Sequence, residues 1–274
     1  MEPLKISASR LSLADECFGK YYYRYIEKPD IKSVCWTGTV QGTVNHLLLE
    51  EALHLRKKGA TNQVIIFSLL EKFEDEINKE FERRKQTDIL KYPRKYVYDE
   101  FIKASKSAVA EFISFTLQEV PKGYEFETEF KIEEKMQNPD VILNGFIDLV
   151  YWDSYDDIHI LDYKNTNDIQ KWRNYNWDQD IQSKLYILMI YRKYGKLPKT
   201  FSYLVLDKKW TKVCKFEYVV RSDFLETNGF GYIEKKIKDL VKNSLFHNTD
   251  LFTPTNELCR WCEYTKLCPK SIFA

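Results

Sequence analysis

The sequence predicts a mixed α/β core carrying a helical N-terminal elaboration. Apolar residues recur at helical spacing through the first third, and the period shifts to two near residue 124. No repeat, low-complexity tract or Pro/Gly/Ser-rich linker interrupts the 274 residues. Hydrophobic residues at 44% and charged residues at 30% are ordinary globular usage. We therefore expect one domain over 1–274. Its parts are a mainly helical 1–120, an α/β core at 121–220, and a last helix with a cysteine cluster at 221–274.

In chain order, Ser9 is a plausible N-cap for a helix running through Leu11 and Leu13 towards Tyr25. A second helix covers Gly42 to Arg56. A third carries Ile66, Leu69, Leu70, Phe73, Ile77 and Phe81, and a fourth Phe101, Ala104, Ala108, Phe112 and Phe115. From Tyr124 to Ile132 apolar and polar residues alternate, as in a half-buried strand. Val141 to Trp152 and Asp157 to Tyr163 are further strands, with turn composition between them. Asp178 to Tyr194 reads as a helix, Thr200–Leu206 and Val213–Val219 as strands, and Tyr232 to Leu245 as the last helix. Helices, three strands, a helix, two strands and a helix make an α/β core.

Several function classes drop out. The longest apolar run, Leu185 to Tyr191, is far short of the ~20 residues of a membrane span. The opening MEPLKISASR has no apolar core of a secretory signal, so a cytoplasmic location with reduced thiols is expected. A net charge of +1 argues against coating nucleic acid through bulk charge, although a local basic groove remains open.

The informative stretch is Gly145-Phe-Ile-Asp148 followed by Ile160-Leu-Asp162-Tyr-Lys164. Side chains alternate along a strand, so Asp162 and Lys164 share a face, and a hairpin brings Asp148 alongside. Ionisable groups in apolar sequence are costly unless a metal or one another compensates. Carboxylates suit Mg²⁺ or Mn²⁺, and a neighbouring lysine can orient an attacking water. The plain alternative is an exposed Asp–Lys pair on an edge strand. A second cluster, Cys259-Arg-Trp-Cys262-Glu-Tyr-Thr-Lys-Leu-Cys268, puts three thiols within ten residues. Such spacing suggests a metal centre, with Cys17 the candidate fourth ligand. Cys35 and Cys214 read as ordinary buried thiols.

Asp148 with Asp162-Tyr163-Lys164 resembles the D…(D/E)-x-K signature of the PD-(D/E)XK nuclease superfamily. Gln182-Ser-Lys-Leu-Tyr186 resembles the Q-x-x-x-Y motif of its RecB-like branch. Gly42-Thr-Val-Asn-His46, with Glu50 one turn later, resembles that branch's upstream G-x-x-x-H motif. Ser9-Arg-Leu11 through Cys17 to Tyr25 resembles its opening. The resemblance implies a restriction-endonuclease-like fold and a Mg²⁺- or Mn²⁺-dependent DNA nuclease. It further implies an exonuclease on single strands or DNA ends. Asp148, Asp162 and the Tyr163 carbonyl would then hold the metal, with His46 adding a ligand. Lys164 would assist water attack, and Gln182 and Tyr186 would position the strand or the water. The branch often carries a glutamate on the strand before the first aspartate. Glu127 is the match, with Glu125 and Glu129 competing. Asn165-Thr166 departs from the Thr-Gly usual after the lysine.

One remote and three clustered cysteines resemble the AddB nuclease and the CRISPR-associated exonucleases. There the pattern implies a 4Fe–4S cluster on Cys17, Cys259, Cys262 and Cys268, with structural zinc as the alternative. Lys171-Trp-Arg-Asn-Tyr-Asn-Trp177 and Lys208-Lys-Trp210 mix positive charge with aromatics, so each is either a DNA contact or a solvated loop. No P-loop occurs, so a helicase or CRISPR adaptation protein would be a separate partner. A non-catalytic DNA-binding or adaptation subunit of the same fold is the second class of function.

Overall fold

A computed structural model of the chain describes residues 3–91, 98–136, 141–207, 212–244 and 249–273. The chain opens with a strand, β1 (Leu4–Ile6), too short to carry a readable period. Ser7, rather than the expected Ser9, caps α1 (Ala8–Glu16), accepting the Arg10 N–H at 3.3 Å. The helix does not run through to Tyr25. It stops at Cys17, which is extended at φ −159, ψ 107, and resumes as α2 (Phe18–Tyr22) and a π-helical turn (Tyr23–Glu27). No Gly or Pro causes this break. Tertiary packing overrides local propensity, because Phe18, Tyr22 and Tyr23 all seat against Phe252.

Next come β2 (Ser33–Trp36), α3 (Thr37–Lys57), α4 (Asn62–Thr87), β3 (Asp88–Lys91) and α5 (Tyr98–Glu119). β2 and β3 pair in parallel as a small separate ribbon. The stripes Val44-Leu48-Ala52 on α3, Ile65-Leu69-Phe73 on α4 and Val109-Phe112-Ile113 on α5 are buried together. They form a core on one face of the central sheet.

That sheet is completed by β4 (Glu125–Lys135), β5 (Val141–Trp152), β6 (Ile158–Thr166), β7 (Thr200–Asp207) and β8 (Lys212–Val219). The order is β1-β5-β6-β7-β8, with β4 on the other edge of β5. β6 and β7 run parallel, joined by a crossover through the short α6 (Gln170–Arg173) and α7 (Ile181–Tyr194). With α8 (Asn228–Ser244), helices α1 and α7 cover the second face of the sheet. The chain ends in α9 (Asn256–Arg260) and the cysteine loop. Among the described residues, no helix is long and apolar enough to cross a membrane.

Two irregularities in the β4–β5–β6 layer create the site. β1 pairs with Val141–Leu143, and β6 pairs with the same edge of β5 only from Leu149 onward. Residues 144–148 of β5 therefore lack a strand partner on that edge. The strands also change face at one register position. Phe126 and Phe130 of β4 are four apart, yet they enter opposite cores. Ile147 and Leu149 of β5 do likewise. Between them Glu129 falls opposite Asp148, and Glu129 has φ 46. A left-handed non-glycine residue in mid-strand costs about 1–3 kcal/mol and persists only where its surroundings enforce it.

Candidate active site

Asp148 stands where β5 parts from β6. Its Oδ2 accepts the Tyr163 N–H at 2.7 Å, so the carboxylate replaces the strand partner that β5 no longer supplies. Its Oδ1 lies 3.2 Å from His46 Nδ1, and His46 Nε2 lies 3.1 Å from the Tyr163 carbonyl. α3 thus reaches across the sheet edge through one imidazole. Gly42 permits the approach, since a Cβ there would stand 3.3 Å from the Asn165 amide. One turn on, Asn45 donates to Asn165 at 3.1 Å.

Both nitrogens of His46 face acceptors. Burial opposes its charge, but the Asp148 carboxylate outweighs burial and raises the imidazole to about 8. Burial also opposes charge on Asp148, yet His46, Lys164 and the Tyr163 N–H hold that carboxyl below its usual value. Asp162, 2% exposed, is pushed up to about 7 by burial, against the pull of Lys164. It pairs with Lys164 and accepts Gln182 Nε2 at 2.6 Å. Lys164 loses to burial but is raised overall by Asp162 and Asp148, so it stays protonated.

α7 supplies the far wall. Asp180 caps it, accepting from the Gln182 and Ser183 N–H groups and from the Tyr203 hydroxyl at 2.9 Å. Gln182 and Tyr186 are four apart and share a face. Tyr186 donates to the Phe146 carbonyl at 2.8 Å, satisfying part of the unpaired stretch of β5. Gly145 makes room, because a Cβ there would meet the Tyr186 ring at 3.1 Å. A cavity of about 450 Å³ opens beside Lys164, Gln182 and Tyr186, walled by Ser7, Ser9 and Asn144.

The structure thus brings Asp148, Asp162, Lys164, Gln182, His46 and the Tyr163 carbonyl together, with Tyr186 behind them. Of the three glutamates on β4, the structure places Glu129, not the expected Glu127, beside Asp148. Glu125 faces Lys57, and Glu127 lies exposed opposite Val150. Glu129 is exposed as well but stands beside the cluster, and ligand atoms of His46, Glu129 and Asp148 lie within 4.8 Å of one another. Burial and the Asp148 charge raise the Glu129 carboxyl. Carboxylate and carbonyl oxygens with one imidazole form a donor set that fits a divalent cation. His54 bonds Thr128, and His159 stacks on Tyr151 and bonds Thr200, so both serve packing.

The cysteines converge separately. Cys17, Cys259, Cys262 and Cys268 are all free thiols and all line one pocket with Tyr23, Phe252 and Tyr264. The break after α1 puts Cys17 there. Thr265 ties down the facing loop by donating to the Cys259 and Cys262 carbonyls. The aromatic stretch after β6 behaves otherwise: Trp172, Tyr175 and Trp177 pack on Tyr203 and Tyr218 as a wall of the α7-side core, while Lys171 and Arg173 are exposed. Lys208, Lys209 and Trp210 lie outside the described residues.

The sequence profile of the PD-(D/E)XK nuclease superfamily matches residues 5–269, and the chain belongs to that superfamily. Its mixed sheet flanked by helices is the restriction-endonuclease-like fold, and members use divalent metal ions. Among solved structures, the crystal structure of SSO0001 is similar at 14% identity and a TM-score of 0.36. That alignment covers 85% of this chain and 98% of the other, and it is too loose to carry an argument. No curated protein matches.

Proposed function

We propose that this chain is a divalent-metal-dependent deoxyribonuclease, acting exonucleolytically on single strands or DNA ends. The observation that carries the reading is the convergence of Asp148, Asp162 and Lys164 at the parting of β5 and β6. Asp148, Asp162, the Tyr163 carbonyl, His46 and Glu129 would hold the cation. A bound Mg²⁺ or Mn²⁺ supplies Lewis-acid polarisation of the phosphodiester and lowers the pKa of an attacking water.

The chain's own groups do the rest. Lys164, kept protonated by two carboxylates, offsets charge developing on the phosphoryl oxygens and orients the nucleophile. Gln182 fixes the Asp162 rotamer through one oxygen and leaves the other towards Lys164. Tyr186 is anchored to the β5 backbone, and burial raises its hydroxyl, so it acts as a neutral donor.

The four thiols support a 4Fe–4S cluster on Cys17, Cys259, Cys262 and Cys268. Structural zinc on the same four thiols is the alternative. The cluster would be a staple joining the start of the chain to its end, remote from the phosphodiester.

The test is degradation of end-labelled single- and double-stranded DNA with Mg²⁺ or Mn²⁺. Lys164→Ala and Asp162→Ala are each expected to abolish cleavage while the melting temperature and brown colour persist. Normal cutting by either variant would remove the site assignment.

A further inference from the structure

We propose that Phe146 is a base-stacking residue of the candidate active site, its ring seating the base of a nucleotide beside the scissile phosphate. The proposal rests on the nuclease reading for its substrate. It goes beyond that reading in naming what the site grips besides phosphate.

Phe146 stands two residues before Asp148 on β5 and is 51% exposed, although every other residue of that strand is buried or half-buried. Its ring belongs to neither apolar core and meets no aromatic neighbour among the described residues. Strand alternation fixes where it points. Leu143 and Ile147 enter the core beneath α7, and a Cβ on Gly145 would meet Tyr186 of that helix. Phe146 therefore faces the opposite side of the sheet, where α3 packs and delivers His46. Lys131, directly opposite on β4, lies between Phe130 and Ile132 of the α7-side core and so shares that face. Its exposed pair with Glu133, at 3.2 Å, is weak and readily exchanged for a backbone phosphate.

A lone exposed apolar residue is ordinary on a protein surface. Two observations set this one apart. The first is place. Phe146 lines the cavity of about 450 Å³ that also holds Lys164, Gln182 and Tyr186. That volume is within the ~300–1,000 Å³ usual for small-molecule sites and suits one nucleotide. The second is rigidity. The Tyr186 hydroxyl donates to the Phe146 carbonyl at 2.8 Å, in the stretch of β5 that lacks a strand partner on one edge. The ring is thus presented from a fixed backbone beside the catalytic lysine. Every base has a π-face, so such a ring takes a nucleotide without reading sequence. Bases inside a duplex are already stacked on both faces. A ring at this place therefore favours terminal and unpaired nucleotides.

The experiment walks one abasic nucleotide through the terminal positions of an end-labelled single strand and measures kcat/KM with Mg²⁺ or Mn²⁺. On the intact strand, Phe146→Ala is expected to lower kcat/KM about tenfold, and Phe146→Trp to hold it within about threefold. Phe146→Leu keeps apolar bulk without a flat face and should lose as much as the Ala variant. In the unsubstituted protein, one abasic position should cost about tenfold as well, and there Phe146→Ala should add less than about twofold. Unchanged kcat/KM on the intact strand in a folded Phe146→Ala protein overturns the proposal. A loss of equal size at every abasic position overturns it too, since the ring would then act on the fold or the metal site. Melting curves check folding, and the Leu variant carries the test if the Ala variant does not fold. If the unsubstituted protein cuts nothing with either ion, the nuclease reading fails, and oligonucleotide affinities of the same variants decide the stacking reading separately.

Discussion

Asp180 concentrates the mechanical support of the site in one carboxylate, so Asp180→Ala tests how the site is built. The side chain, 8% exposed, accepts the Gln182 N–H at 3.2 Å, the Ser183 N–H at 3.3 Å and the Tyr203 hydroxyl at 2.9 Å. Losing an N-cap costs ~1 kcal/mol, within a range of about 0.5–2. Leaving the buried Tyr203 hydroxyl without its acceptor adds about 1–3 kcal/mol. The expected total is ~2–4 kcal/mol. In a chain of this size that lowers the melting temperature by about 5–12 °C. The same substitution frays the first turn of α7, which carries Gln182, and so releases Asp162 from its 2.6 Å hydrogen bond. Cleavage should therefore fall together with stability. Asp180→Asn keeps a capping oxygen and should recover more than half of the stability. Denaturant melts and a cleavage assay on the three proteins decide the matter. An Ala variant as stable as the parent refutes the capping argument, and one that loses stability but cuts normally refutes the link through Gln182.

Glu129→Gln should raise the Mn²⁺ concentration needed for half-maximal cleavage by ~10-fold or more, in line with supporting groups at metal sites. An unchanged titration would remove Glu129 from the site. Protons compete with the cation. Asp162, raised to about 7 by burial, and His46, raised to about 8 by Asp148 against burial, must both shed a proton before they can ligate. Divalent-ion affinity should therefore fall as pH drops below about 7, with net proton release visible by calorimetry in buffers of different ionisation enthalpy. Affinity flat between pH 6 and 8 would contradict this. Cys262→Ser should lower the melting temperature and bleach the visible absorption of anaerobically purified protein. Full colour with an unchanged melt would contradict a cluster staple.

The legible part of this fold was the part with a period. The α3, α4 and α5 stripes and the long apolar run of β5 declare themselves over ten or more residues. β1, β2 and β3 span three or four residues and carry no period to read. The helix break at Cys17 has no local signal either, since it answers to Phe252 and to the cysteine loop more than 200 positions away. Asp162 and Lys164 could be placed on one face because strand alternation is intact on β6. Glu129 was not separable from Glu125 and Glu127, since strict alternation puts all three on one face. Only the left-handed turn at Glu129 separates it from them, and nothing in the residue types announces that turn. Trp172, Tyr175 and Trp177 show the converse problem. A basic, aromatic composition serves a DNA contact or a core wall equally well, and neighbours decide.

These irregularities share a cause. A strand that parts from its neighbour exposes backbone groups that must find other partners. In β5 they find Tyr186 at the Phe146 carbonyl, and in β6 the Tyr163 N–H finds Asp148. The side chains that close the gap in the sheet are thus the ones placed for chemistry. Setting Asp148 and Asp162 in the sheet beside Glu129 at its surface is unfavourable unless cations stand among them, and His46 and Lys164 supply two positive charges. With all five groups ionised the cluster still carries one net negative charge. A divalent cation that displaces the His46 proton brings that sum to zero, which ties metal binding, local pKa and the closure of the β5–β6 gap to one set of side chains.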